Sequence, residues 1–296
     1  MDKYIDLHTH TTASDGVISP EKLVEQAKEL DLAAIAITDH DQVGSVKAGV
    51  RAGGEVELEV IAGVELSCYW LENKRKEFHI LGYFINDQDE ELLAKLDYFR
   101  QERIRRAQAI LAKLQELGYA GEWEYLVQMA QGAIGQPHIA RTILENSKNE
   151  EKLLKEFGKI PSIGEFIEKY MIKGRVAHVE KAGFEPKRAV ALIHKTGGVA
   201  VLAHPCYDVA EGDLMIWQVL KSWGIEGLEA WAPYKTAEET LPKIRYFERM
   251  AKEHQMVITG GSDYHGIEGI GAGLGMFEWG LRIKSKMLEN LKVLKT

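Results

Sequence analysis

The chain has 296 residues, which suits one large domain or one domain with an insertion, and its 45% hydrophobic content is enough for a sizeable core. A net charge of −8 argues against general binding to nucleic acid or to a membrane surface. Only Cys68 and Cys206 occur, so no disulfide framework is indicated; no apolar run is long enough to span a bilayer, and the N-terminus lacks a signal-peptide-like stretch, so the expectation is a cytosolic protein.

In chain order, a strand over 3–7 is followed by a helix over 20–31 that opens at Ser19-Pro20-Glu21, a helix-start signal. Leu23, Val24, Ala27 and Leu30 line one face of that helix. A strand over 33–38 leads to a helix near 42–53, and strands near 57–62 and 78–84 come next. After residue 177 the pattern gives helix 186–196, strand 198–203, helix 211–223, strand 226–230, helix 236–254 and strand 256–260. Strands alternating with helices predict parallel strands joined by right-handed crossovers. The fold class expected is α/β, a distorted seven-stranded TIM-like barrel.

Residues 88–176 break this rhythm with helices alone. One long amphipathic helix runs from Glu90 to Leu117, and shorter ones fall near 121–131, 136–147, 149–158 and 162–172. Gly118, Gly132-Ala133-Ile134-Gly135, Gly158 and Pro161 punctuate them. The expected organisation is a barrel in two parts, 1–87 and 177–296, with 88–176 as an all-helical cap domain rising from the face that carries the site.

That face is marked by metal-type ligands at strand ends. His8 and His10 follow Ile5-Asp6-Leu7, with Asp15 shortly after; His40 closes Ile35–Asp39, Glu65 follows Val60–Val64, and His79 opens a strand. His204 closes Val199–Ala203, and Asp263 and His265 close Val257–Ser262. Side chains two apart on a strand share a face, so His8 with His10, and Asp263 with His265, can each hold one ion. Two such pairs and five more ligands in the same setting predict a metal site at one end of the barrel.

The motifs Asp6-Leu7-His8-Thr9-His10, Ser14-Asp15-Gly16, Thr38-Asp39-His40, Gly63-Val64-Glu65, His79-Ile80-Leu81-Gly82-Tyr83, Ala203-His204-Pro205 and Gly261-Ser262-Asp263-Tyr264-His265 resemble those of the polymerase-and-histidinol-phosphatase (PHP) family of metal-dependent phosphoesterases. Within it, Gln136-Pro137-His138-Ile139-Ala140-Arg141 and Lys173-Gly174-Arg175-Val176-Ala177 resemble the branch that hydrolyses nucleoside 3′,5′-bisphosphates and trims short RNA from the 5′ end.

The resemblance implies three divalent ions. His8, His10, Glu65 and Asp263 would hold the first, Asp15, His40 and His265 the second, and Glu65, His79 and His204 the third, with Glu65 bridging. Glu65, Asp263 and His265 are the candidate catalytic residues. Mixed imidazole and carboxylate ligation suits Mn²⁺, Fe²⁺ or Zn²⁺ without choosing among them. Three ions against three carboxylates leave a net charge of about +3, which suits a phosphate dianion. A metal-bridging hydroxide would attack the phosphorus, with no covalent nucleophile needed.

Among the remaining residues, His138 and Arg141 share a helix face and are candidates for clamping a second phosphate or the nucleoside. Lys173 and Arg175 are candidate phosphate contacts, with His178 beyond them. Asp6 and Asp39 flank ligands and are candidates to orient imidazoles. Cys206 reads as a packed thiol, His194 and His254 as surface or packing residues, and Arg100, Arg103, Arg105 and Arg106 as a solvated helix face. Gly269, Gly271, Gly273 and Gly275 follow no strand in the way a dinucleotide loop requires and read as a flexible loop.

The expectation is a phosphomonoesterase acting on a small nucleotide or short RNA, with no membrane and no stable protein partner. A histidinol-phosphate-type phosphatase shares the barrel ligands, but the helical insertion counts against it. A metal-dependent amidohydrolase is a more distant rival. A non-catalytic, metal-stabilised binding module is disfavoured by the complete ligand set.

Overall fold

A computed structural model of the chain describes residues 3–70, 76–130, 134–267 and 272–295. Strand β1 (Tyr4–Thr9) leads to helix α1 (Pro20–Glu29), where the Ser19 side chain accepts from the Lys22 N–H and Pro20 occupies the first turn. Strand β2 (Leu32–Ile37), helix α2 (Val46–Val56), strand β3 (Glu59–Trp70) and strand β4 (Lys76–Tyr83) follow. Helices α3 (Glu90–Glu116), α4 (Trp123–Ala130), α5 (Gln136–Leu144), α6 (Glu150–Phe157) and α7 (Ile163–Tyr170) come next, with no strand among the described residues between them. Helix α8 (Pro186–Lys195), strand β5 (Val199–Leu202), helices α9 (Pro205–Asp208) and α10 (Leu214–Trp223), strand β6 (Gly227–Trp231), helix α11 (Ala237–Glu253), strand β7 (Val257–Gly260) and helix α12 (Lys286–Lys292) complete the order. The expected breakers Gly132 and Ala133, and Gly269 and Gly271 of the glycine-rich loop, lie outside the described residues.

The chain divides into two units, residues 1–96 with 183–296, and residues 97–182. The first holds one seven-stranded sheet in the order β1 to β7. β1, β2 and the start of β3 run parallel, as do β5, β6 and β7. β4 departs from the uniformly parallel expectation and pairs antiparallel with both β3 and β5. The reason is its connection: only five residues separate the end of β3 at Trp70 from the start of β4 at Lys76, and so short a link permits only an antiparallel neighbour.

β3 is also longer than expected. Its first residues pair with β2 through Ala34–Ile37, and its continuation from Gly63 to Trp70 pairs with β4. Among the described residues no ladder joins β1 to β7. Their ends meet through a single parallel bridge between Thr9 and Tyr264, where the His10 N–H donates to the Tyr264 carbonyl at 2.8 Å.

The core of this unit collects the inward side chains of successive strands, among them Ile5, Leu7, Ala36, Leu81 and Val201, with Ile283 from the segment before α12. Fully burying each Ile, Leu or Val contributes roughly 1.5–3 kcal/mol. The segment expected as a flexible glycine loop is, where described, a 3₁₀ helix over Leu274–Trp279 with Met276 fully buried. Gly273 and Gly275 take φ of 67° and 71°, a region that favours glycine, and the Gly275 N–H donates to the buried Asp6 carboxylate at 2.7 Å.

The second unit has its own core, built from Ile110, Leu114, Ile139, Ile143, Leu153 and Phe166. Ser162 starts α7 with a reciprocal capping box to Glu165.

Candidate metal centre

His8 lies inside β1 and His10 one residue beyond it, so their side chains leave the same face, with ring centroids 5.1 Å apart. Glu65 lies within β3 and His79 within β4, instead of at the strand ends the sequence suggested. Because β4 is antiparallel, its early residues lie at the end of the sheet where the parallel strands finish, and that brings His79 to Glu65. His204 and Asp263 follow β5 and β7 and take positive φ values of 22° and 52°, a backbone strain of about 1–3 kcal/mol for each non-glycine residue.

Glu65 is fully buried, and its two oxygens face different histidines. Oε2 is 2.8 Å from His40 Nδ1, 3.3 Å from His8 Nε2 and 3.4 Å from His10 Nε2. Oε1 is 2.9 Å from His79 Nδ1 and 3.0 Å from His204 Nε2. Asp263 Oδ1 stands 3.0 Å from His10 Nε2 and 3.4 Å from His8 Nε2. Asp15 approaches His265 Nε2 at 3.3 Å and His40 Nε2 at 3.7 Å.

Three overlapping groups have ligand atoms within 4.8 Å of one another: His8, His10, Glu65 and Asp263; His10, Asp15, His40 and His265; and His40, Glu65 and His79. All nine residues singled out in the sequence therefore meet, with His204 joined to the cluster through Glu65.

The donor set fits divalent cations on physical grounds. His8 Nε2, His10 Nε2, His40 Nδ1 and Glu65 Oε2 are buried and make no hydrogen bond. An unsatisfied buried polar atom costs about 1–3 kcal/mol. Four of them converging on one point are relieved by a shared Lewis acid, and imidazole with carboxylate suits a borderline metal ion.

The electrostatics point the same way. Burial opposes ionisation of Glu65, but His40, His8 and His79 outweigh it and hold the carboxyl well below the usual range. Burial likewise works against Asp263, and His8 and His10 overcome it. For His79 burial disfavours the charged form, yet Glu65 and Glu77 raise it to about 9. His265 is raised to about 9 by Asp15 and Asp263 against the same opposition. The cluster is thus a concentration of anionic carboxylates among imidazoles, ready to exchange protons for cations.

One carboxylate of the centre escaped the sequence reading. Glu229 is buried on β6, its oxygens 3.0 and 3.1 Å from His8 Nδ1, and it also accepts from the His204 N–H at 2.8 Å. A charged residue inside the apolar run Gly227-Leu228-Glu229-Ala230-Trp231 was the available signal. Asp6 and Asp39 do not take the imidazole-orienting role expected of them. Asp6 accepts from the backbone of His8, Ser262 and Gly275 and from the Ser262 hydroxyl, and Asp39 from Thr11, Ser14 and Ser45. Both brace the loops that carry ligands.

Gly261 explains the tight approach of β7 to β1. A Cβ there would meet His8 Cβ at 2.2 Å. Cys206 is a packed thiol, its Sγ 3.7 Å from the His204 carbonyl oxygen, and burial pushes it up to about 12. His254 stacks on Trp217, and His194 pairs with Glu226 at 2.9 Å on the surface.

The candidate substrate residues all belong to the second unit. The His138 ring Nδ1 accepts from the Gly135 N–H at 3.1 Å, and Arg141 is 54% exposed and ion-paired with Glu145. Lys173 is exposed, and the exposed Arg175 donates to the Glu168 carbonyl at 3.1 Å. His178 Nδ1 lies 3.1 Å from the Met171 carbonyl oxygen, which is a structural role. Of the arginine run, Arg100 and Arg105 pair along the helix with Asp97 and Glu102, and Arg106 donates to the Val179 carbonyl at 2.8 Å.

The PHP domain model matches residues 6–171. The chain is 30% identical to a 5′-3′ exoribonuclease from Haemophilus influenzae over 90% of this chain and 91% of that one. It is 28% identical to a 3′,5′-nucleoside bisphosphate phosphatase from Chromobacterium violaceum, covering 88% and 87% of the two chains. A metal-dependent phosphoesterase structure from Bifidobacterium adolescentis shares the fold with a TM-score of 0.77 at 22% identity, over 99% of this chain and 97% of that one. With the domain model spanning more than half of its length and the exoribonuclease aligned over nine-tenths of it, the chain belongs to the PHP-domain family.

Proposed function

We propose that this protein is a metal-dependent phosphoesterase whose substrates are nucleoside 3′,5′-bisphosphates or the 5′ end of short RNA. The observation that carries the reading is the division of Glu65, with one oxygen toward His8, His10 and His40 and the other toward His79 and His204. A carboxylate so divided suits a bridge between neighbouring cations. We assign His8, His10, Glu65 and Asp263 to one ion, Asp15, His40 and His265 to a second, and Glu65, His79 and His204 to a third.

Ions at these positions supply Lewis acidity toward the phosphoryl oxygens and an activated water. The chain's own contribution is positioning. Glu229 holds His8 by its Nδ1, which leaves Nε2 directed at the cluster. Asp263 and His265, on one short loop after β7, keep two ligand positions in register. We read the seven-stranded sheet as a distorted barrel and residues 88–176 as its inserted cap. On that reading His138, Arg141, Lys173 and Arg175 bind the second phosphate, because cations and imidazoles suit an anion better than a neutral sugar or amino alcohol.

The names of the Haemophilus influenzae and Chromobacterium violaceum relatives support this choice of substrate class. The test is a panel assayed with Mn²⁺-loaded protein. The expected order of kcat/KM is nucleoside 3′,5′-bisphosphate above 5′-monophosphate, with histidinol phosphate poorest and one phosphate released per turnover. Histidinol phosphate outrunning the bisphosphates would overturn the reading.

A further inference from the structure

Beside the ligand His204 the chain carries an aromatic pair that the chemistry of the metal cluster does not use. Tyr207 sits on α9, three residues after His204, with its ring centroid 5.9 Å from the imidazole, and it is 57% exposed. Tyr234, after β6, backs it at 5.1 Å with the rings tilted by 52°. Lys235 and Lys243 place their ammonium groups 5.1 and 5.2 Å from the Tyr234 ring. The loop after β6 is therefore fastened: Tyr234 exchanges hydrogen bonds with Thr240 at 2.8 and 3.0 Å, and Lys243 pairs with Glu211 at 2.9 Å.

An exposed large aromatic ring adds no folding stability in proportion to its area, because most of that area stays in water. This one is held against a packed partner, so a ligand that covers it pays little ordering entropy. Its position is set by His204, whose φ of 22° turns the chain into α9 immediately after the ligand.

We propose that Tyr207, backed by Tyr234, is a stacking platform for the base of a nucleotide whose phosphate lies at the metal centre. The proposal rests on the nucleotide reading above and adds the element that would read the base. Stacking tolerates any base, since every base offers a π face, and an aromatic contact of this kind changes binding by roughly 5- to 150-fold.

The test is equilibrium binding by calorimetry of two probes, AMP and ribose 5-phosphate, to the Mn²⁺-loaded full chain. The probes share the 5′-phosphate and the ribose and differ in the base. Wild type is expected to bind AMP more tightly than ribose 5-phosphate by roughly 5- to 150-fold. Tyr207→Ala should bring that ratio close to one while ribose 5-phosphate binding stays within about twofold, and Tyr207→Phe should preserve the ratio because the π face remains. An unchanged ratio in Tyr207→Ala, or a wild type that does not distinguish the probes, overturns the platform. Equal weakening of both probes in Tyr207→Ala also overturns it, since Tyr207 would then act through His204. A wild type that discriminates AMP through Tyr207 yet leaves bisphosphates intact would overturn the substrate reading and leave the platform standing.

Discussion

His8 Nδ1 lies 3.0 Å from Glu229 Oε1 in a setting where both side chains are fully excluded from water. The bond fixes the tautomer and the ring plane, so that Nε2 presents a lone pair beside Glu65 and Asp263. Glu229→Gln is expected to weaken metal binding by about 10- to 100-fold. Titration against a metal buffer reads this directly, and unchanged affinity would show that packing alone orients His8.

Glu65 touches five imidazoles through two oxygens, whereas His204 touches the cluster through one of them. Glu65→Gln should therefore release more than one equivalent of metal and His204→Ala no more than one. Elemental analysis of the two purified variants decides; equal losses would remove the bridging role.

Arg141 is paired with Glu145 on the surface of the second unit. If it reads a second phosphate, Arg141→Ala should raise KM for a nucleoside 3′,5′-bisphosphate by roughly 10- to 150-fold, the range of a charge-assisted hydrogen bond. A generic aryl phosphate, with no second anion, should change little. Parallel KM values for both substrates would take Arg141 out of substrate recognition.

Glu156 supplies a pH-dependent contribution to the second unit. Its partial burial favours the neutral acid, but Lys152 at 2.7 Å, the Tyr170 hydroxyl and the Tyr119 hydroxyl at 2.9 Å outweigh that and bring it down to about 2. A carboxyl depressed on folding stabilises the fold above its unfolded value of 4.5, and the contribution fades as pH falls from there toward 2. Glu156→Gln should lower the urea midpoint at pH 7, and the gap to wild type should narrow progressively below pH 4.5. A gap that stays constant down to pH 3 would assign the effect to packing.

The sequence by itself determined which side chains could hold metal and in what strand context. His-x-His on an extended segment shares a face whatever the rest of the chain does, and apolar runs interrupted by His, Asp or Glu stand out in a linear reading. It also determined that helices and no strand were to be expected over residues 88–176, because their apolar spacing and the breaks at Gly118, Gly158 and Pro161 are local signals. The tertiary structure decided what depends on pairing. The direction of β4 follows from β3 running on to Trp70, which leaves only a short link, and only that direction brings His79 to Glu65. The partner of His8 lies 221 residues away, and nothing near Glu229 in sequence announces it beyond one charge in an apolar strand. Asp6, two residues before His8, and Asp39, next to His40, bind backbone and hydroxyl groups instead, because folding brings the Ser262 and Gly275 amides to the first and the Thr11, Ser14 and Ser45 hydroxyls to the second. Local periodicity is fixed by backbone geometry and is legible in one dimension; the choice among distant partners is made by packing, and it appears only when the chain has folded.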